Sequence, residues 1–158
     1  MPDIYLEKFI EAQAPVYAQA LAELTAGRKT SHWIWYVLPQ HVELGRSQRA
    51  IQYGITDLDQ ARRYLRDPLL GPRLRACVEA VLLHRDKTPF EIFGSPDDMK
   101  FRSCLTLFEA AAENAEDSAL FSRALDLFHD GERDERTLSL LSADLIVSPA
   151  PATSAAGQ

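Results

Sequence analysis

The stretch Arg28-Lys29-Thr30-Ser31-His32-Trp33-Ile34-Trp35-Tyr36-Val37-Leu38-Pro39-Gln40-His41 holds both tryptophans and two of the four histidines of the chain. Its reading decides the fold. By propensity Trp-Ile-Trp-Tyr-Val favours a strand, yet so short an apolar run cannot be told from a turn of buried helix, and Pro39 ends it either way. Indole and phenol side chains pair an apolar body with a polar tip, so their concentration also marks a place where a site would lie.

On the N-terminal side, apolar residues at 5, 6, 9 and 10 form one helical face, with Asp3 placed to cap it. Pro15 then interrupts, because its ring clashes with the preceding turn and it donates no hydrogen bond. Tyr17, Ala20, Leu21 and Leu24 resume a single face that Gly27 is suited to stop. On the C-terminal side, Gln40 to Ile55 reads as a loop with a turn of helix near Ser47 to Tyr53. Asp57 opens a helix carrying Leu58, Ala61 and Leu65, and Asp67-Pro68 opens a long one carrying Leu70, Leu74, Cys77, Val78, Val81 and Leu82.

Thr88-Pro89 starts a short turn that Gly94 closes. Ser95-Pro96-Asp97-Asp98 then reads as cap, first-position proline and capping box for a helix reaching about Glu113. On that helix Phe101, Cys104, Leu105, Phe108, Ala111 and Ala112 share an apolar arc, opposite Arg102, Ser103, Thr106 and Glu109. Lys100 stands at its edge, and Asp98 and Arg102 are spaced as a surface pair. Two further helices come next, one stopping at Gly131 and one capped by Asp134. Residues 148–158 are a low-complexity tail. The expectation is one helical domain over 1–147, of about seven helices around one or two central ones.

Composition narrows the function classes. With 46% hydrophobic and 25% charged residues over 158 positions, the chain has enough apolar content for one core. It shows neither an apolar run long enough to span a bilayer nor a leader pattern, which predicts a cytoplasmic protein with no membrane role. Cys77 and Cys104 fall on apolar faces and read as small core residues, and no spacing suits a metal, so neither metal nor cofactor is expected. The net charge of -6 is uneven: residues 28 to 87 carry 11 of the 17 Lys and Arg against 6 acids. A basic segment in an otherwise acidic chain suits a local anionic ligand better than duplex nucleic acid.

No phosphate loop, dinucleotide fingerprint, zinc-protease pair or serine elbow occurs. Ser31 beside His32 suggests a nucleophile and base, but chain neighbours point apart and no third group orients the imidazole, which makes His32 a weak catalytic candidate. Arg46-Ser47 after Gly45 supplies a donor fork and a hydroxyl for a phosphate or carboxylate.

Four phrases in order carry a family resemblance: Ser31 to Gln40, Gly45-Arg46-Ser47, Tyr64 to Leu74, and Ile92 to Ser103. From about Ile4 to Leu141 the chain resembles the bacterial family called domain of unknown function 1810, whose members are multihelical and have no established activity. The resemblance implies an all-α fold, and with it a helical Trp-Ile-Trp-Tyr-Val. It also picks out His32, Trp33, Trp35, Pro39, Gln40, Gly45, Arg46, Ser47, Lys100, Arg102 and Ser103 as signature positions. His41 falls outside that pattern.

Two functional expectations compete. In the first, Trp33 and Trp35 wall a pocket beside the Ser95 helix start, where Arg46, Ser47, Lys100 and Arg102, with Gln40 and Ser103 among the signature positions, hold a small phosphate-bearing anion. In the second, exposed tryptophans anchor a protein partner and the chain has no catalytic activity.

Overall fold

A computed structural model describes residues 5–147. Asp3 and the tail at 148–158 lie outside the described residues. The α-helices run in the order α1 (Glu7–Gln13), α2 (Tyr17–Ala26), α3 (Ile34–Val37), α4 (Gln48–Gln52), α5 (Leu58–Arg66), α6 (Leu70–Leu82), α7 (Pro89–Phe93), α8 (Asp97–Ala111), α9 (Ala115–His129) and α10 (Glu135–Val147). A 3-10 turn, Val42–Leu44, precedes α4. The protein is all-α, and the helices among the described residues exceed seven because α3, α4 and α7 are four or five residues long and Pro15 separates α1 from α2.

Local chemistry sets most boundaries. Gly27 ends α2 with φ 82°, a left-handed conformation that costs a residue without Cβ little. Asp57 accepts from Gln60 N at 2.8 Å to start α5, and Asp134 accepts from Thr137 N at 3.1 Å to start α10. Asp67 accepts from Leu69 N and Leu70 N, both at 2.9 Å, before α6. Thr88 and Glu91 close a reciprocal capping box on α7.

The start of α8 departs from expectation. The helix begins at Asp97, Pro96 is its N-cap, and Ser95 contributes no cap through its hydroxyl. Instead the Gly94 carbonyl accepts from Asp98 N at 2.9 Å, which satisfies a first-turn donor from the backbone. The Ser95-Pro96 peptide is cis.

Two helices form the centre. α8 packs on α5, α7, α9 and α10, while α6 packs on α2, α5 and α9. Because neighbours cover α8 on several sides, Ser103 and Thr106 are buried rather than on an exposed polar face. Their hydroxyls donate back to the carbonyls of Met99 at 3.3 Å and Arg102 at 2.8 Å. Thr106 Oγ1 also accepts from Asp134 N at 2.9 Å, which ties the α10 start to α8. Cys77 and Cys104 are free and buried, and burial pushes the Cys77 thiol up to about 12, so both act as core residues.

The long connection from α3 to α5 is held by backbone. Ile55 N donates to Gln40 O at 2.9 Å and Val42 N to Ile55 O at 2.8 Å, pinning His41 beside Ile55. A Cβ at Gly54 would lie 2.4 Å from Val42 Cα, so these two chain segments can approach only with glycine there. Gly54→Ala is therefore expected to lower unfolding stability by about 1–3 kcal/mol in urea titrations, with the same m-value as the unaltered protein.

Candidate functional site

The site is built from a buried carboxylate that sequence reasoning missed. Glu23 lies in α2 with a side chain turned inward, 6% exposed. Its oxygens accept from Thr30 N at 2.9 Å, Ser31 N at 3.0 Å, Trp33 Nε1 at 2.9 Å and Gln19 Nε2 at 2.8 Å, and also from Ser31 Oγ. Burial by itself would raise this carboxyl, but the donors from Ser31, Gln19, Thr30 and Trp33 prevail and hold it well below its ordinary value. A signal was present in the sequence: Glu23 stands three residues after Ala20 and one before Leu24, on the inward arc of an apolar helix.

This carboxylate folds the 28–33 segment back over α2 and carries Trp33 inward. Trp33 is 1% exposed, its indole N–H satisfied by Glu23. The next turn is α3. Trp33 O accepts from Val37 N at 3.2 Å, and the Tyr36 carbonyl accepts from Gln13 Nε2 at 2.6 Å. Gln13 Nε2 also donates to the buried Tyr64 hydroxyl at 3.0 Å, so partners from α1 and α5 hold a helical turn whose propensity alone favours strand.

Trp35, two residues on, points elsewhere. It is half-buried and walls a shallow cleft, with an enclosed volume of about 10 Å³, together with Ile34, Leu38, Gln40, Ala50, Tyr53 and Lys100. The aromatic segment and the start of α8 are thus neighbours in space. The Lys100 ammonium lies 5.8 Å from the Trp35 ring centre and the Arg49 guanidinium 5.1 Å from it. Behind them, Lys29 Nζ sits 5.0 Å over the Trp33 ring, donates to Ser31 O at 2.6 Å and pairs with Asp97 Oδ2 at 2.8 Å. Asp97 Oδ1 is 3.7 Å from Lys100 Nζ. Three cations therefore line the two indoles, with one carboxylate set between two of them.

The other predicted residues are dispersed. Trp33 belongs to the core and does not line the cleft. Ser47 caps α4 by accepting from Ala50 N at 3.1 Å, and Arg46 lies beside it, outside the cleft lining; Arg49, one turn on, is the arginine that reaches Trp35. Arg102 turns toward the α9–α10 connection, 3.7 Å from Glu132 and 3.8 Å from Asp134, and these two acids replace Asp98 as its ion-pair partners. Burial, aided by Arg102, holds His129 down to about 4 on that side. Ser103 is buried with its hydroxyl on Met99 O. The His32 side chain is exposed and its carbonyl accepts from the Tyr36 hydroxyl at 3.4 Å. His41 is buried, and its Nδ1 accepts from Glu43 N at 3.1 Å as the cap of the 3-10 turn. Of the expected cluster, Trp35, Gln40 and Lys100 converge. Among the described residues no group of His, Cys, Asp and Glu could hold a metal ion, and no helix is long and apolar enough to cross a membrane.

The family of proteins of unknown function (DUF1810) matches residues 3–141, and the chain belongs to it. It is similar to the conserved hypothetical protein Rv1873 from Mycobacterium tuberculosis, whose crystal structure superposes with a TM-score of 0.84 at 44% identity, covering 89% of this chain and 99% of that one. No protein of curated function matches it.

Because Glu23 is ionised in the fold below the pH at which a free glutamate protonates, its stabilisation is complete above about pH 4.5 and fades as pH falls toward its depressed native value. Glu23→Gln sets an amide NH2 against these donors and is expected to lose about 3 kcal/mol at pH 7. Urea unfolding at pH 7 and pH 3 should show the difference between the two proteins narrowing at the lower pH.

Proposed function

We propose that the cleft between α3, α4 and α8 binds a small anion bearing a flat or apolar group, such as an aryl or heterocyclic phosphate. The observation that carries this reading is Lys100 in the cleft lining against the half-buried indole of Trp35, with the Arg49 guanidinium 5.1 Å from the centre of the same ring but outside the lining. Ile34, Leu38, Ala50 and Tyr53 offer the apolar lining, the Gln40 amide offers donor and acceptor functions, and the ammonium and guanidinium offer charge. The enclosed space is only about 10 Å³, room for about one water molecule, so a ring would stack at the open rim against Trp35 and the remainder of a larger molecule would stay outside.

The interaction-module reading has less support. It needs exposed indoles, whereas Trp33 is enclosed and Trp35 lies in a cleft. We assign no catalytic step, since His32 lies outside the cleft lining.

Thermal shift across nucleotides, sugar phosphates and aryl phosphates should yield a stabilising compound, and that compound should move the Trp35 indole N–H resonance in NMR titrations. Lys100→Gln is expected to weaken its binding about tenfold or more. Arg102→Gln, on the α10 side, should leave the affinity unchanged. If none of these compounds shifts either the melting temperature or the Trp35 signal, the reading is wrong.

A further inference from the structure

We infer that Lys29 is the positioning residue of this site: by holding Asp97, it keeps the Lys100 ammonium available for the acidic group of a ring-bearing anion. The inference rests on the cleft's role as an anion site, but its geometry is separate. Lys29 lies outside the cleft lining, and its side chain is 5% exposed.

Asp97 and Lys100 stand three apart on α8, a spacing at which opposite charges pair readily. They do not close. Asp97 Oδ2 is taken by Lys29 at 2.8 Å, whereas Oδ1 stays 3.7 Å from Lys100, beyond hydrogen-bond distance. Lys29 is itself fixed from three directions: its backbone N–H donates to Ile92 O at 2.7 Å, its ammonium donates to Ser31 O at 2.6 Å, and it lies over the Trp33 ring. It cannot follow Asp97 outward. The ammonium of Lys100, at the end of a flexible stem, has the Trp35 ring and this long contact as its only neighbours of opposite or π character among the described residues. An anion in the cleft would complete its coordination. Removing the Lys29 charge frees both Asp97 oxygens for Lys100, and the carboxylate then competes with the ligand from within the protein.

Two readouts test this. In the first, trace acetic anhydride labels the folded protein and mass spectrometry compares acetylation of Lys100 with that of Lys8. An ammonium paired to a carboxylate is held protonated and reacts more slowly. Lys29→Met should therefore slow Lys100 labelling about two- to fivefold, Asp97→Asn should speed it, and the double variant Lys29→Met/Asp97→Asn should match Asp97→Asn alone. In the second, phenyl phosphate is titrated while the Trp35 indole N–H signal is followed. Affinity should fall in Lys29→Met and rise in Asp97→Asn, with the double variant again matching Asp97→Asn.

Where Lys29→Met unfolds the protein, Lys29→Gln, which keeps a donor but removes the charge, takes its place, and labelling of Lys100 that does not slow in it overturns the inference. Unchanged labelling in a folded Lys29→Met variant does the same. Absence of any phenyl phosphate response together with the expected labelling pattern would instead overturn the ligand reading and leave the role of Lys29 standing.

Discussion

A single buried carboxylate organises this protein. Glu23 gives up hydration in the interior and recovers it through two backbone N–H groups, an indole, an amide and a hydroxyl. Every one of those donors except Gln19 comes from the 30–33 segment. The chain leaving α2 at Gly27 must therefore double back along the helix it has just left, with Trp33 directed into the core. The rest of the site inherits that constraint. Lys29 is brought over the Trp33 ring and against Asp97, and α3 starts at a fixed place against α1.

The cleft is a consequence of how α3 and α4 meet α8. One-turn helices cannot present a continuous apolar stripe, so α3 and α4 reach Lys100 of α8 through individual side chains around the cleft instead of a ridge in a groove. Trp33 fills the inner position and Trp35 the outer one. Between the outer indole, Tyr53 and the stem of Lys100 the packing remains open. The surroundings would repel a further cation, since Lys100 and Arg49 both lie near the ring and Asp97 is already engaged by Lys29. This charge distribution supports the proposed anion site.

How much of the fold and site is legible in the sequence depends on range. Signals acting within four residues read correctly: Gly27 as a stop, Asp57 and Asp134 as caps, Thr88-Pro89 as the start of a short helical turn closed by Gly94. Ser95 has the right chemistry for a cap, but a backbone carbonyl, that of Gly94, supplies what a hydroxyl usually does. Trp33 and Trp35 look like paired pocket walls, yet residues two apart near a helical turn lie about 200° apart, and only one can face the cleft. Arg46 and Arg102 offer suitable donors but lie outside the cleft lining; one lies ahead of α4, and the other is drawn by Glu132 and Asp134 to the α10 side. Glu23 is the instructive omission, because an acid on an inward arc has to find donors, and most of them lie seven to ten residues away.

The Lys29–Asp97 pair also bears on why charge occupies a largely enclosed position at all. For stability alone, two apolar side chains of similar volume would serve as well, since the cost of desolvating both ions offsets most of their attraction. Its net worth to folding is small even though removal of either partner alone would be costly. What an apolar pair could not do is hold a carboxylate 3.7 Å from Lys100 while denying it a hydrogen bond. That arrangement keeps the Lys100 ammonium near its helix, limits its swing across Trp35, and leaves its donors available to the cleft. The pair is therefore better explained by where it leaves Lys100 than by what it adds to the core.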